Sequence, residues 1–223
     1  MKRYCLYLFI LIGISCSAEL KAQKNGTVYK GNDPAVRYTG RTLVSPDGSV
    51  AFDWVGTYLE TRFTGGKLSV KVSETGTSYY NVFVDGKLHK VVKVCGTDTL
   101  IHLVSGIDKR IHSLKIQKRS EGEFGKTTVH QFVLSGSGRL AEEPAVRTRH
   151  IEFIGNSLTC GYGTDGKHRD EPFLVETENC NLTFASMVAR YYDADYTLIA
   201  HSGRGAARNY GDSVRVSKVT MKD

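Results

Sequence analysis

A serine placed just after a short apolar run is the residue of this sequence best suited to chemistry. Residues 151–154 form the run, Gly155 ends it, and Ser157 follows two positions later. Such a run is typical of a buried parallel strand, and ligands of open α/β sheets bind beyond the carboxyl ends of the strands. Ser157 is therefore a candidate nucleophile for acyl transfer. The alternative is a serine in an ordinary turn, because Thr159 stands where the Gly-x-Ser-x-Gly elbow has its second glycine.

A second turn would have to complete the site, because ester hydrolysis through serine needs a base for the hydroxyl proton and donors for the oxyanion. The turn Ser202-Gly203-Arg204-Gly205 follows the apolar residues 196–200. With an intervening helix, the two apolar runs would form a right-handed βαβ unit, so both turns would face one crevice. A glycine at position 203 would let a backbone N–H approach the oxyanion without a side chain in the way.

The block around Ser157, together with this second turn and with Arg208-Asn209-Tyr210, resembles the start of the SGNH-type hydrolase domain in the two-domain acetyl esterases of carbohydrate esterase family 2. The resemblance covers almost all of the chain after the first ~25 residues, a length typical of a removed leader. In that family the first block is usually Gly-Asp-Ser followed by Ile-Thr-Cys-Gly-Tyr-Gly. Here Asn156 replaces the aspartate and Leu158 the isoleucine, while the serine and the Cys-Gly-Tyr-Gly tail are intact.

This resemblance implies a β-sandwich of the jelly-roll type over residues 23–147, followed by the first part of an α/β SGNH-hydrolase domain, flavodoxin-like and three-layered, over residues 148–223. It implies a serine esterase that removes acetyl groups from xylan or related carbohydrates. Its partner would be an acetylated polysaccharide or oligosaccharide, and it would use no cofactor and no metal ion.

The resemblance also implies roles for residues of both turns. Ser157 would be the nucleophile and an oxyanion donor, and Gly203 would be the second N–H donor, with Gly205 as the second choice. Arg204 is a candidate for binding substrate. Its alternative role is structural, because an arginine fork can satisfy several loop carbonyls at once.

The general base is where the sequence departs most from the family. The family's base lies in an Asp-x-x-His segment near the C-terminus, and no such segment follows the second turn in residues 206–223. His201 directly precedes the second turn, which is not the position of the family's base, so we do not expect it to be catalytic. We expect a fragment of an esterase that is inactive alone, because a serine without its base is a weak nucleophile. The alternatives are a complete carbohydrate-binding or vestigial non-catalytic protein, and chemistry at the Cys160 thiol.

Residues 1–22 have the pattern of an export signal. Lys2 and Arg3 form the charged start, residues 4–14 the apolar core, and residues 15–18 are small. The core is too short to span a bilayer, so we expect a secreted or periplasmic protein without a stable membrane span. Cys16 leaves a lipoprotein as the alternative, although Gly13 fits poorly three places before a lipidated cysteine.

The formal net charge of +7 does not point to a nucleic-acid partner. The basic residues mostly alternate with apolar ones, as on the solvated faces of strands, and no clustered patch or known nucleic-acid module is present. We interpret the charge as promoting solubility. No pattern indicates an oligomeric state.

Residues 26–140 have the pattern of an all-β domain. Short runs rich in valine, isoleucine, tyrosine and phenylalanine are separated by turn signals, which is typical of a sandwich or jelly roll. Asp85-Gly86 between two alternating runs predicts a hairpin, and Leu68, Val70 and Val72 predict one buried face. Trp54 is expected within a strand-like run, residues 52–63, where core packing explains it better than sugar stacking. The predicted strands are 69–72, 79–84, 88–94, 100–104, 113–117 and 129–134.

Beyond a proline-containing linker at residues 142–149, the pattern predicts a surface loop over residues 164–181. A helix should follow, with Asn181 as its N-cap and an apolar face on which Met187 and Tyr191 are core candidates.

The sequence leaves open whether any of the cysteines form a disulfide. Cys95, Cys160 and Cys180 remain after the export signal, and an odd number leaves at least one free thiol. Cys160 and Cys180 would either form a disulfide or stay as buried thiols. No pair of cysteines or histidines has the spacing of zinc ligands.

Overall fold

The computed structural model describes residues 26–142 and 144–223. The predicted export signal, including Cys16, lies outside the described residues. Within them, no helix is long and apolar enough to cross a membrane.

The N-terminal region is a seven-stranded antiparallel sheet that folds back on itself. Two long strands dominate it, β5 (Tyr58–Val84) and β6 (Lys87–Lys118). The short strands are β1 (Thr27–Lys30), β2 (Val36–Thr39), β3 (Leu43–Val44), β4 (Val50–Phe52) and β7 (Thr127–Ser135).

Each long strand bends and contributes segments to two layers. In one layer, residues 58–64 and 80–84 of β5 both pair with the end of β6, and β2 lies beside them. In the other layer, residues 67–74 of β5 lie between β6 and β7, while β1 and β4 pair with β7. The region is therefore sandwich-like, as expected. The prediction of many separate short strands is wrong for β5 and β6, because irregularities in register let these strands bend without ending.

The space between the two layers is filled by the apolar faces of the strands. Leu68, Val70 and Val72 are buried there against Phe132, which confirms the predicted buried face. Removing a side chain of this size from water stabilises the fold by about 1.5–3 kcal/mol.

Two local predictions for this region, the hairpin at Asp85-Gly86 and a strand position for Trp54, have different outcomes. Asp85 and Gly86 have φ values of +49° and +75°, as a two-residue hairpin turn of type I′ requires, so the predicted hairpin is confirmed. Trp54 was placed wrongly, because it lies in the turn between β4 and β5 and is half-buried. The guanidinium carbon of Arg41 lies 5.5 Å from the centre of its ring.

The C-terminal region contains a parallel pair, β8 (His150–Gly155) and β9 (Asp195–Ala200), as the sequence predicted. Between them lie α1 (Ser157–Cys160), the 3₁₀ turns Val175–Thr177 and Cys180–Leu182, and α2 (Phe184–Tyr191). Strand β8 was expected to be buried, but none of its residues is, and Ile154 is 68% exposed. The reason is that β8 has β9 as its one strand neighbour within the described residues.

Helix α2 differs from the prediction at its start and on its buried face. Its N-cap is Thr183, because the residues around Asn181 form a separate 3₁₀ turn. Met187 and Tyr191 are 50% and 81% exposed, so they are not core residues. The small side chains of Ala185 and Ala189 are buried instead, and they let the helix pack closely.

The two regions share a second core. Val55 and Tyr58, from the sandwich, pack with Cys160, Cys180 and Leu198. Cys95, Cys160 and Cys180 are free thiols, so the disulfide alternative is not realised. The C-terminal region is thus built directly onto the end of the sandwich.

Candidate active site

Ser157 is the first residue of α1, at the carboxyl end of β8. Asn156 is the N-cap of this one-turn helix, and its Oδ1 atom accepts a hydrogen bond of 3.2 Å from the Leu158 N–H. A glycine is needed at position 155, because a Cβ there would lie 2.0 Å from Thr159 Oγ1. The sequence of this block therefore fixes the position of the Ser157 backbone.

A cleft of about 820 Å³ lies beside Ser157. Both predicted turns line it, through Ser157 on one side and Gly203, Arg204 and Gly205 on the other. The structure thus brings all the site residues predicted from the sequence to one cleft. Their chemical roles stay predictions.

The backbone N–H groups of these turns differ in their hydrogen bonding. Those of Ser157 and Gly203 have no partner among residues 26–142 and 144–223. The Gly205 N–H, by contrast, donates a hydrogen bond of 3.1 Å to Asn209 Oδ1. Gly203 is therefore better suited than Gly205 to bind an oxyanion.

Arg204, in the second turn, and His201, just before it, each contact a backbone carbonyl oxygen. Arg204 donates a hydrogen bond of 2.8 Å from Nη1 to the carbonyl of Val219, which is the structural role considered for it, although it also lines the cleft. His201 Nδ1 lies 2.8 Å from the carbonyl oxygen of Ser202. Within the part of the chain that the structure describes, no histidine lines the cleft.

A residue that the sequence analysis did not single out reaches the cleft from the sandwich. Glu121 follows β6 and is 2% exposed. Its Oε2 atom accepts hydrogen bonds from the Ser202 N–H at 2.7 Å and from the Cys160 thiol at 3.3 Å. No periodicity or motif marks this glutamate, because its partners are brought to it by the tertiary fold.

Glu178 lies next to Glu121 in the same buried cluster. Its Oε2 atom accepts a hydrogen bond of 2.8 Å from the Glu121 N–H. Burial, and then the nearby charge of Glu121, raise the pKa of Glu178 to about 9. Burial likewise raises the pKa of the Cys160 thiol far above its ordinary value, which argues against the alternative of thiol chemistry.

The loop that carries Glu178 is held on the sandwich by Arg119. This buried arginine donates hydrogen bonds of 2.7 Å to the Glu178 carbonyl and 3.0 Å to the Glu176 carbonyl, and it pairs with Asp165. An arginine fork can satisfy several acceptors at once. The loop that carries Glu178, and with it the buried partner of Glu121, is therefore positioned by the sandwich.

Aromatic side chains form one wall of the cleft. Tyr162 and Phe173 are stacked with their ring centres 3.7 Å apart, and Phe124 lies 5.5 Å from Phe173. Tyr162 is 49% exposed, so its ring is accessible to a ligand. Pockets lined by aromatic side chains with a few polar groups are typical of ligand sites.

Comparison with known proteins gives consistent matches. Residues 38–144 match the family model "Carbohydrate esterase 2 N-terminal". The chain is 34% identical over 180 residues to the cellulase/esterase CelE of Acetivibrio thermocellus, an alignment that covers 81% of this chain and 22% of that protein. It is 32% identical over 177 residues to an acetylxylan esterase / glucomannan deacetylase of Cellvibrio japonicus, with 77% of this chain and 48% of that protein covered.

A solved structure is similar over the same extent. It is that of a family two carbohydrate esterase from Clostridium thermocellum in complex with cellohexaose, with a TM-score of 0.76, 34% identity, and 80% of this chain and 55% of that chain covered. This chain spans about half of that structure and of the Cellvibrio relative, and less of CelE. Over about 80% of its length, this chain is therefore similar to family two carbohydrate esterases and to the esterases named above.

Proposed function

We propose that this chain forms the nucleophile and oxyanion side of a serine carbohydrate esterase that removes acetyl groups from xylan or related carbohydrates. One observation carries the proposal: Ser157 and Gly203 line one cleft, and neither backbone N–H has a partner among the described residues. Two unpaired donors beside a hydroxyl are what acyl transfer requires. Relatives named as acetylxylan esterases support the reaction class and the acetyl group.

In the proposed reaction, Ser157 Oγ attacks the acetyl carbonyl carbon and loses its proton to a base. The carbonyl oxygen becomes the oxyanion and accepts hydrogen bonds from the Ser157 and Gly203 N–H groups. The bond between the acetyl carbon and the sugar oxygen then breaks, and the departing oxygen takes the proton from the base to become a hydroxyl. Water hydrolyses the acetyl-serine to acetate and free Ser157. Since no histidine of the described residues lines the cleft, we assign the base to a group outside them, and we expect little turnover where that group is missing.

The substrate proposed is a sugar chain bearing acetyl esters, placed along the aromatic wall of Tyr162 and Phe173. An exposed aromatic face offers a large apolar contact at low cost in conformational entropy. We further propose that the protein acts outside the cytoplasm, because residues 1–22 have the pattern of an export signal.

The test is acetate release from acetylated xylan by the protein as its natural locus encodes it. Ser157→Ala should lower kcat by at least ~10³-fold, as loss of a nucleophile does. The control is Ser105→Ala, an exposed serine on β6, which should have wild-type activity. Activity that survives Ser157→Ala would overturn the proposal. Binding of acetylated xylo-oligosaccharide by calorimetry without any acetate release would replace it with a non-catalytic carbohydrate-binding function.

A further inference from the structure

Two buried glutamates from different regions meet beneath the second turn of the cleft. Glu121 and Glu178 are 2% and 0% exposed. One carboxylate oxygen of each and the Sγ atom of Cys160 lie within 4.8 Å of one another. Two ionised carboxylates so close in a buried site would repel each other strongly. The pair should therefore carry one proton.

The hydrogen bonds indicate which glutamate keeps the charge. Glu121 Oε2 accepts from two donors, the Ser202 N–H and the Cys160 thiol, whereas Glu178 Oε2 accepts from the Glu121 N–H. Donors directed at a carboxylate favour its ionised form. The Oε1 atom of each glutamate is buried without a partner among the described residues, so an oxygen of Glu178 is available to hold the proton.

The other charged and titratable groups around the pair do not neutralise a second carboxylate charge, so the pair still needs one proton. The Lys118 ammonium is bound to the Gly125 carbonyl at 3.0 Å, and burial lowers its pKa to about 8. Arg119 is directed at backbone carbonyls and Asp165. Burial raises the pKa of the Cys180 thiol to about 12. Neither glutamate has an ion pair with a basic side chain among the described residues.

The charged carboxylate has a direct structural consequence for the cleft. It binds the N–H of Ser202, and the next residue is Gly203, whose N–H is the proposed oxyanion donor. We propose that Glu121 is a positioning residue of the esterase site, which holds the Ser202-Gly203 turn with its carboxylate while Glu178 carries the proton of the pair. The catalytic meaning of this inference rests on the proposed function, but the proton arrangement does not.

The arrangement is tested first without any assay of activity. In protein labelled with ¹³C at the glutamate carboxyl carbons, Glu121→Gln and Glu178→Gln assign the two signals. At neutral pH the Glu178 signal should be that of a protonated carboxyl and the Glu121 signal that of a carboxylate. Two ionised carboxylates would overturn the proposal. So would tight binding of added Zn²⁺ that is lost in Glu121→Gln, Glu178→Gln and Cys160→Ser, because the cluster would then be a metal site.

A second readout is the pH dependence of unfolding. Glu178 has its pKa raised on folding, so the folded state binds one more proton and stability falls as the pH rises between about 5 and 8. This slope is proportional to the difference in bound protons between the folded and unfolded states, and Glu178→Gln should reduce that difference by about one proton. The matched control, Glu152→Gln, changes an exposed glutamate of β8 and should keep the wild-type slope. An unchanged slope in Glu178→Gln would contradict the arrangement.

The positioning role is tested at the turn itself. In Glu121→Ala the backbone amide signals of Ser202 and Gly203 should shift, with a smaller shift in Glu121→Gln, which keeps one acceptor oxygen. In the acetate-release assay, Glu121→Ala should lower kcat about 100-fold with little change in KM, since misplacement by about 1 Å costs that much. Unmoved amide signals in Glu121→Ala would overturn the role. If wild-type protein releases no acetate while these signals shift as stated, the proposed function fails and the positioning by Glu121 stands.

Discussion

The Tyr58 hydroxyl, at the start of β5, donates a hydrogen bond of 2.6 Å to Asp195 Oδ1, at the start of β9. Asp195 also accepts from Arg37 Nη1 at 2.8 Å and from Arg147 Nη1 at 2.7 Å. Its side chain is only 5% exposed. One carboxylate therefore joins the sandwich, the linker and the βαβ unit.

Asp195→Asn should destabilise the protein by about 1.5–3 kcal/mol, because it removes the charge that accepts hydrogen bonds from Arg37 and Arg147, although both arginines keep Glu60 as a partner. Tyr58→Phe removes one hydrogen bond to a charged group and should cost about 1.5–3 kcal/mol. Urea unfolding at neutral pH measures both. The control is Asp193→Asn, whose side chain is 89% exposed although it pairs with Arg147, and which should cost less than about 1 kcal/mol. Equal losses in Asp193→Asn and Asp195→Asn would contradict the role of burial.

The same carboxylate should contribute to unfolding in acid. Burial raises the pKa of Asp195, but hydrogen bonds from Arg37, Tyr58 and Arg147 outweigh it and hold the pKa well below the usual range. A pKa that is lowered on folding stabilises the protein above the unfolded value of about 4. That contribution is lost as the pH falls through the folded pKa. Asp195→Asn should therefore flatten the acid limb of the stability curve.

His112 should show the opposite dependence on pH. Its ring is 1% exposed and lies 2.8 Å from both Asp85 and Asp108. Burial lowers the pKa of His112, but the hydrogen bonds to the two aspartates outweigh it and raise the pKa above its ordinary value. This interaction stabilises the protein fully below about pH 6.5 and is lost as the pH rises through the folded pKa.

Asp108→Asn should accordingly lower the pKa of His112, as measured from its ring signals by NMR. The control is Asp170→Asn, which changes an aspartate whose side chain is 85% exposed and should leave the pKa of His112 unchanged. Because Asp108 is 62% exposed, the accompanying loss of stability should stay below about 1 kcal/mol. A His112 titration that is unaffected by Asp108→Asn would show that the ion pair does not form.

The free thiols should differ sharply in reactivity. Cys95 is exposed, whereas Cys160 and Cys180 are buried with raised pKa values. Iodoacetamide should therefore modify Cys95 in the folded protein and reach the other two only after unfolding, as mass spectrometry of the peptides would show. Recovery of a peptide pair linked through Cys160 and Cys180 would contradict the free thiols.

The parts of this fold that the sequence predicted are those with local causes. The Asp85-Gly86 hairpin follows from turn geometry, and the buried face of Leu68, Val70 and Val72 follows from strand alternation. The meeting of Ser157 and Gly203 at one cleft also follows from the sequence, because the carboxyl ends of neighbouring parallel strands share one edge.

The parts that the sequence did not predict depend on contacts between distant segments. Glu121 and Glu178 lie in loops 57 residues apart in the sequence, and only tertiary packing makes them a buried pair. The periodicity of α2 marked its apolar residues correctly but could not show which of them would be covered. Met187 and Tyr191 are therefore exposed, while the smaller Ala185 and Ala189 fill the contact.

Asn156 allows the nucleophile turn itself to be tested. Its Oδ1 atom accepts the Leu158 N–H, and an aspartate would offer an oxygen in the same place. We therefore expect Asn156→Asp to keep kcat/KM of the locus-encoded protein within about 10-fold of wild type, whereas Asn156→Ala should destabilise α1 by about 1 kcal/mol. Faster hydrogen exchange of the Leu158 amide in Asn156→Ala, but not in Asn156→Asp, would report the lost cap even without turnover. If Asn156→Asp instead raised activity by orders of magnitude, the negative charge itself would be required, and capping alone would not explain this position.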